Sequence, residues 1–376
     1  MMKENVSPLY SEYIIDGVHM QASPARMLQE CTTSPQDFPE TSCCGTIMDE
    51  TVDASPGRRH LDEEDPAGLL AKVAPLADAG RRFPIHFPGQ FTISRIAMTL
   101  TDTLWLSGHF RLDDLCLKAE WKWNEKPIGN MAAFYASAEA ASEYIGSLGI
   151  QLKSYGYSPA KENSISFKAL HASLPGTRFP DDEDGRTGRP RLGRKRIVPG
   201  RIVPETSDWL IYIPFDSCEY RLGGSLLSEA LDADLPIAPD LGDADYFMDC
   251  YEVVRELVED GIVKAGATVG DGGLLTALDR MCRETGGAAI DIGDIRKTYK
   301  GSTPVKILFG EIPGAVIQIS DQDYDYVDAE LLLQDIAYFP IGHPAKEGLQ
   351  IDMGDRTGIS GILESLLNSA VSEGED

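Results

Sequence analysis

Asp271 sits among glycines in the run Gly270-Asp271-Gly272-Gly273-Leu274-Leu275-Thr276-Ala277-Leu278. A carboxylate beside paired glycines at a helix start can hold a cation while free backbone N–H groups face a phosphate. The same pattern also serves a plain helix cap, in which Asp271 accepts an orphan N–H of a helix over 274–281. The residue types leave the two roles open. A second run, Leu308-Phe309-Gly310-Glu311-Ile312-Pro313-Gly314-Ala315-Val316-Ile317-Gln318-Ile319, reads as a turn feeding a buried strand. Glu311 is expected to hold that turn by accepting backbone hydrogen bonds, ahead of facing a cleft. Gly223 and Gly224, in Arg221-Leu222-Gly223-Gly224-Ser225, are expected to permit a tight strand-to-helix turn, with direct phosphate contact as the second option. The six histidines (His19, His60, His86, His109, His171 and His343) show no metal-ligand spacing.

Those residues need elements to position them. Ile93, Ile96, Leu100 and Leu104 recur at helical spacing and predict a core-facing helix over 92–106. Phe134, Ala138, Ala141, Ile145 and Leu148 predict a second over 131–148, stopped by Gly149. Strand-like runs follow at 150–152, 165–170 and 209–213. Helices are expected over 222–231, on the stripe Phe247, Tyr251, Val254 and Val258, and over 274–281. A strand at 315–319, a helix at 325–333, a strand at 338–341 and a helix at 359–367 complete the pattern. Trp121 and Trp123, with Lys118 and Lys122, are expected in a packed turn rather than on a base-stacking surface. Strands alternating with helices argue for an α/β layer fold over a bundle or a sandwich.

Composition sets the bounds. The 376 residues allow two ordinary domains or one large one, and a 42% hydrophobic content supports a sizeable core. The formal charge of −26, from 60 acidic and 34 basic residues, argues against non-specific contact with nucleic acid or an anionic membrane. It leaves room for an anionic ligand held by a local basic pocket. Seven scattered cysteines without a C-x-x-C pair suit a reduced, cytoplasmic protein. Residues 1–80, rich in Ser, Pro, Thr and acid, are expected to be poorly structured or extended. Residues 81–200 and 201–352 form two domains, with a charged loop at 181–201 read as solvated, and an acidic tail follows over 353–376.

The order of motifs is more specific than any one of them. RLGGSLL after a strand, a Pro-rich connection, an amphipathic helix, the DGGLL turn, LFGEIPGAVIQI and then Ile341-Gly342 resemble the C-terminal synthetase half of phosphoribosylformylglycinamidine synthase, in the aminoimidazole ribonucleotide synthetase superfamily. The resemblance covers about residues 205–352 and extends more weakly over 92–170, where ISRIAMTLTDTLW is similar to the family's AEALTNLVW helix. It implies an N-terminal barrel-forming α+β domain joined to a C-terminal α/β domain. ATP or ADP with Mg2+ would lie between them, and a second synthetase-like half, as homodimer or heteromer, would be the partner. The implied activity is that of an ATP-dependent amidine-forming ligase of purine biosynthesis. Metal ligands are then sought at Asp271 and Asp102, and nucleotide contacts at Gly272, Gly273, Gly223 and Gly224.

The departures are as informative as the match. The acid of the AEALTN helix falls at Met98, which cannot serve a hard cation that demands oxygen. Asp102 replaces the Asn, and a partly exposed polar role is the preferred reading for it. The GKDS motif becomes Tyr155-Gly156-Tyr157-Ser158, and HDVSDGG loses its His, first Asp and Ser over 265–273. The alternative expectation is therefore a catalytically degenerate homologue serving as a binding or scaffolding subunit.

Overall fold

A computed structural model describes residues 7–32, 45–54, 65–108, 110–171, 195–233, 235–284, 286–346 and 348–352. The first of these do not trail loosely. β1 (Glu12–Ile15) pairs antiparallel with β2 (Val18–His19), and Tyr13 is fully buried. Ser23 caps α1 (Pro24–Glu30), which has Pro at its start. β3 (Thr46–Asp49) lies parallel to β1. Asp65 caps α2 (Pro66–Ala79) by accepting the amides of Ala67 and Gly68. Within the stretch before residue 80, expected to be poorly structured or extended with short segments adding a strand or helix, the described parts form these elements. Tyr13, Leu28, Leu69 and Val73 are all core residues, and their spacing was diluted by the Ser- and Pro-rich sequence around them.

α3 (Pro88–Thr101) presents Ile96, Ala97 and Leu100 to the core. It ends earlier than expected. Residues 102–105 tighten into a 3-10 turn that buries Trp105 against Gly266, where any Cβ would overlap the indole. β4 (Leu115–Trp123) corrects the turn expected at 118–123. Its residues alternate, with Leu117, Ala119, Trp121 and Trp123 inward and Lys118, Glu120 and Lys122 outward, the period of a half-buried strand. α4 (Asn130–Ser147) packs beside α3 on the inner face, and Ser137 Oγ joins Thr92 Oγ1 (2.8 Å) and Trp121 Nε1 (2.9 Å). Asp49 of β3 caps α4 by accepting the amides of Gly129, Met131 and Ala132 (2.8, 2.8 and 3.0 Å). β5 (Gln151–Pro159) runs parallel to β4, and β6 (Ser164–His171) runs antiparallel on its other side. Among the described residues this three-stranded sheet, order β5-β4-β6, does not close on itself.

The remaining elements build a six-stranded sheet. They are β7 (Trp209–Pro214), α5 (Leu226–Ala230), α6 (Ala244–Glu259), β8 (Ala265–Val269), α7 (Gly273–Cys282), β9 (Gly287–Asp291), α8 (Gly293–Thr298), α9 (Pro304–Phe309), β10 (Gly314–Ile319), α10 (Tyr324–Leu333), β11 (Phe339–Ala345) and β12 (Gly348–Asp352). The order is β12-β9-β11-β7-β10-β8, antiparallel throughout except for the β12–β9 pair. Alternate residues of β7 and β10 face two cores. Ile211, Ile213 and Ile317 pack with α6, α10 and the α3–α4 layer, while Leu210, Tyr212 and Val316 pack with α5, α7 and α9. α5 is shorter than the expected helix over 222–231, because the preceding residues form the Gly turn. The helix expected at 359–367, the tail after 353 and most of the charged loop at 181–201 lie outside the described residues. Among the described residues no helix is long and apolar enough to cross a membrane.

Candidate functional site

Asp271 follows β8 in a turn that only glycine relieves. Gly272 (φ 81°) and Gly273 (φ 73°) are both left-handed, and a Cβ on Gly272 would overlap Thr276 Oγ1. Gly272, not Asp271, is the N-cap of α7, and no side chain of the turn caps it. Both carboxylate oxygens of Asp271 instead meet arginines. Arg95 reaches Oδ1 at 2.9 Å and Oδ2 at 2.8 Å through its two terminal nitrogens, and Arg81 Nη1 reaches Oδ1 at 3.1 Å. Asp271 therefore takes a third role that neither sequence reading contained.

Glu311 completes the cluster. Its Oε1 accepts the amides of Gly272 and Leu226, both at 2.8 Å, so one carboxylate oxygen serves the starts of α7 and α5 together. Its Oε2 accepts from Arg81 Nη1, and Arg81 Nη2 donates to the carbonyl of Gly224. The expectation that Glu311 holds a turn by accepting backbone hydrogen bonds matches this geometry. Arg81 is only 4% exposed, and its guanidinium and that of Arg95 both sit over the Phe91 ring, at 4.8 and 4.7 Å. Its Nε has no hydrogen-bond partner. Burial works against the charge of Arg81, but Glu311 and Asp271 more than offset it, so its basicity is raised. Burial pushes the Glu311 carboxyl up; Arg81 and the two amides oppose that rise without cancelling it.

The remaining expected site residues sit around this cluster without joining a shared ligand set. Gly223 donates its N–H to Ile237 O at 2.7 Å, and a Cβ there would overlap the Ile237 backbone. Gly224 (φ 71°) packs on Phe87. Asp102 keeps solvent contact and accepts from Thr268 Oγ1 at 2.6 Å, while Thr268 Oγ1 accepts from Trp105 Nε1 at 2.9 Å. The protein crowding it raises the Asp102 carboxyl, against the Thr268 hydrogen bond and the charge of Arg196. Met98 lies directly on Gly270, filling the place that the resemblance assigned to an acid. Among the described residues no group of three or more His, Cys, Asp and Glu gathers as a metal-binding set. The cavity at the Gly223–Gly224 turn, beside Phe91, Ser94, Arg221 and Glu311, holds about 30 Å3. Small-molecule sites run to about 300 Å3 and above. A shallower cavity of about 200 Å3 opens beside it, past Arg82, His86 and Ser228.

Arg81 and Arg95 are the residues that sequence reasoning missed. No motif surrounds them, and they lie 190 and 176 positions from Asp271. The one available signal was the need of a carboxylate stripped of its family partners for some other cation.

Residues 208–345 match the family described as AIR synthase related protein, C-terminal domain. The chain is 27% identical over 256 residues to a probable phosphoribosylformylglycinamidine synthase, chloroplastic/mitochondrial, of Arabidopsis thaliana, covering 67% of this chain and 17% of that protein. It is 23% identical over 240 residues to the phosphoribosylformylglycinamidine synthase of Homo sapiens, covering 63% of this chain and again 17% of the relative. The chain thus spans about a sixth of the length of the curated relatives it matches. Among solved structures, T. maritima PurL complexed with FGAR aligns at a TM-score of 0.53 and 12% identity, over 76% of this chain and 42% of that one. At that identity the likeness is one of fold.

Proposed function

We propose that this chain, an AIR synthase-like relative of phosphoribosylformylglycinamidine synthase, is a non-catalytic half of a purine-type synthetase assembly that contributes its fold and its surfaces instead of a metal–nucleotide centre. The observation that carries this reading is the double occupation of the DGG turn. Asp271 is neutralised by Arg81 and Arg95, and the Gly272 amide is taken by Glu311. Guanidinium stands where a cation would bind, and a carboxylate stands where phosphate would accept an amide.

A Mg2+–nucleotide complex does not fit these residues. Mg2+ wants several oxygen ligands in near-octahedral array, and here every oxygen of Asp271 and Glu311 already has a donor. Opening the site would require Arg81 to leave a pocket where it is almost wholly buried and to abandon two carboxylates there, a change costing about 3–5 kcal/mol. Work with a second half is supported by the open three-stranded sheet and by the small share of the relatives' length that the chain spans.

Turnover tests the reading. The purified chain, supplied with ATP, Mg2+, ammonia and the amide substrate of the related synthases, is expected to consume ATP no faster than a protein-free blank. ATP consumption that Asp271→Asn removes would overturn it.

A further inference from the structure

α2 belongs by sequence to the N-terminal half, but it packs on the other half. Its main neighbours among the elements are α5 and α7. Leu69 and Val73 enter the core beneath α5, α7 and α9, and among the described residues every other buried member of that core comes from Ile202 onward. A methyl group of Val73 lies 2.9 Å from where a Cβ of Gly272 would stand, so the helix rests directly on the DGG turn. At the far end of α2, α7 reaches back. Arg280 Nη2 donates to Ala77 O at 2.7 Å, and Arg283 Nη1 meets Asp78 Oδ2 at 2.7 Å. Gly80 (φ 90°) then ends the helix, and Arg81 enters the buried cluster. Phe83 drops into the first core against Phe91 and Trp123, with ring centroids 5.0 and 4.6 Å apart. Between Val73 and Phe83 the chain thus crosses from one core to the other, with Arg81 at the crossing.

We infer that α2 and Arg81 form a strap that closes over the DGG turn and opens as one unit while the six-stranded sheet stays folded, with Arg81 as its catch. The inference rests on the reading above that the turn is internally occupied, and it names the element that governs access to it. Separate opening follows from how little ties α2 down. The helix buries Pro66, Leu69 and Val73 and leaves Ala67, Ala71, Pro75 and Ala79 exposed. Pro75 takes one rung out of its hydrogen-bond ladder. The ion pairs of Asp78 lie at the surface, where each is worth little. Few buried apolar contacts and solvent-exposed ties mark the elements that open before the whole molecule does. Arg81 is the exception, because its contacts with Asp271, Glu311 and the Gly224 carbonyl are buried. One residue, Gly80, separates it from the helix, so α2 cannot lift far without drawing Arg81 out. A solute that reads Asp271 or Gly272 then meets only the open fraction of the molecule, and its apparent affinity falls by that fraction.

Amide hydrogen exchange on the full chain tests the strap. In wild type the amides within α2 are expected to share one protection factor, lower than that of the β7 and β10 amides by about tenfold or more. In Arg81→Met the α2 protection is expected to fall by about a hundredfold or more, because wild-type opening must first break the buried ion pair that the variant lacks. Wild-type α2 amides that exchange no faster than those of β7 and β10 would overturn the inference, since the helix would then leave only with the whole molecule. Unchanged α2 protection in Arg81→Met would overturn it too, since the helix would then open while Arg81 stays in place. Arg81→Lys keeps the charge and loses the planar fork, and it repeats the test in a variant that folds more readily. Its α2 protection is expected to fall by about tenfold, and no change there carries the same contradiction. Either failure leaves the turnover reading intact, because a turn without a separate strap is still internally occupied.

Discussion

At the residue scale, Arg81 is the group on which the cluster depends. Among the described residues it is the one side chain that touches Asp271, Glu311 and the Gly224 carbonyl together. Arg81→Met should lower stability by about 3 kcal/mol, because removing one partner of a buried pair strands the other; the urea midpoint measures it. The deficit should depend on pH. Glu311 already holds its proton above its ordinary 4.5, because burial disfavours the charge. Folded protein then binds more protons than unfolded, so this group's contribution to stability falls as pH rises through that window. Without Arg81 the carboxyl moves higher still, and the variant loses more than wild type on the way up. Below pH 4.5 the gap should reduce to lost packing and hydrogen bonds, and it should widen as pH climbs toward the variant's own folded value. A gap that narrows with rising pH would contradict the assignment. Asp271 and Glu311 were legible from their Gly turns, because a turn motif is local. Arg81 was not, because its partners meet it only through the fold.

At the element scale, turns and caps join pieces that the sequence keeps apart. Asp49 caps α4 from a strand of the N-terminal sheet, taking three amides. Asp49→Ala should therefore cost about 1–2 kcal/mol, the upper range for a lost cap. Were it neutral in chemical denaturation, the N-terminal strands would not be part of the cooperative body. Gly223→Ala should cost more than about 1 kcal/mol, since its Cβ has nowhere to go against the Ile237 backbone. Long amphipathic helices such as α3, α4 and α6 were readable from periodicity alone. β4 was misread because two tryptophans and three charges over 118–123 suggested a turn, although their strict alternation was a strand signal. β8 and β9, built from Gly and Ala in AGATV and GAAID, carry too little side chain to announce a buried strand.

At the scale of the whole molecule, α/β layering was legible but the sheet was not. Alternating elements suggest parallel strands, whereas the six-stranded order is almost wholly antiparallel, a choice made by long-range pairing that no local window contains. The same pairing brings the segment before α3 to the end of β8, and so decides that the DGG turn receives arginines. The central claim is that this turn has exchanged an external cation and phosphate for internal ones. Calorimetric titration of the full chain with ADP and Mg2+ tests it most directly, read alongside the melting temperature. Ligand at a hundred times its Kd would add about 2.7 kcal/mol of stability, so even a weak site is visible at millimolar nucleotide. The expected result is no saturable heat and no shift in Tm. Stoichiometric binding that raises Tm in wild type and disappears in Asp271→Asn would contradict it.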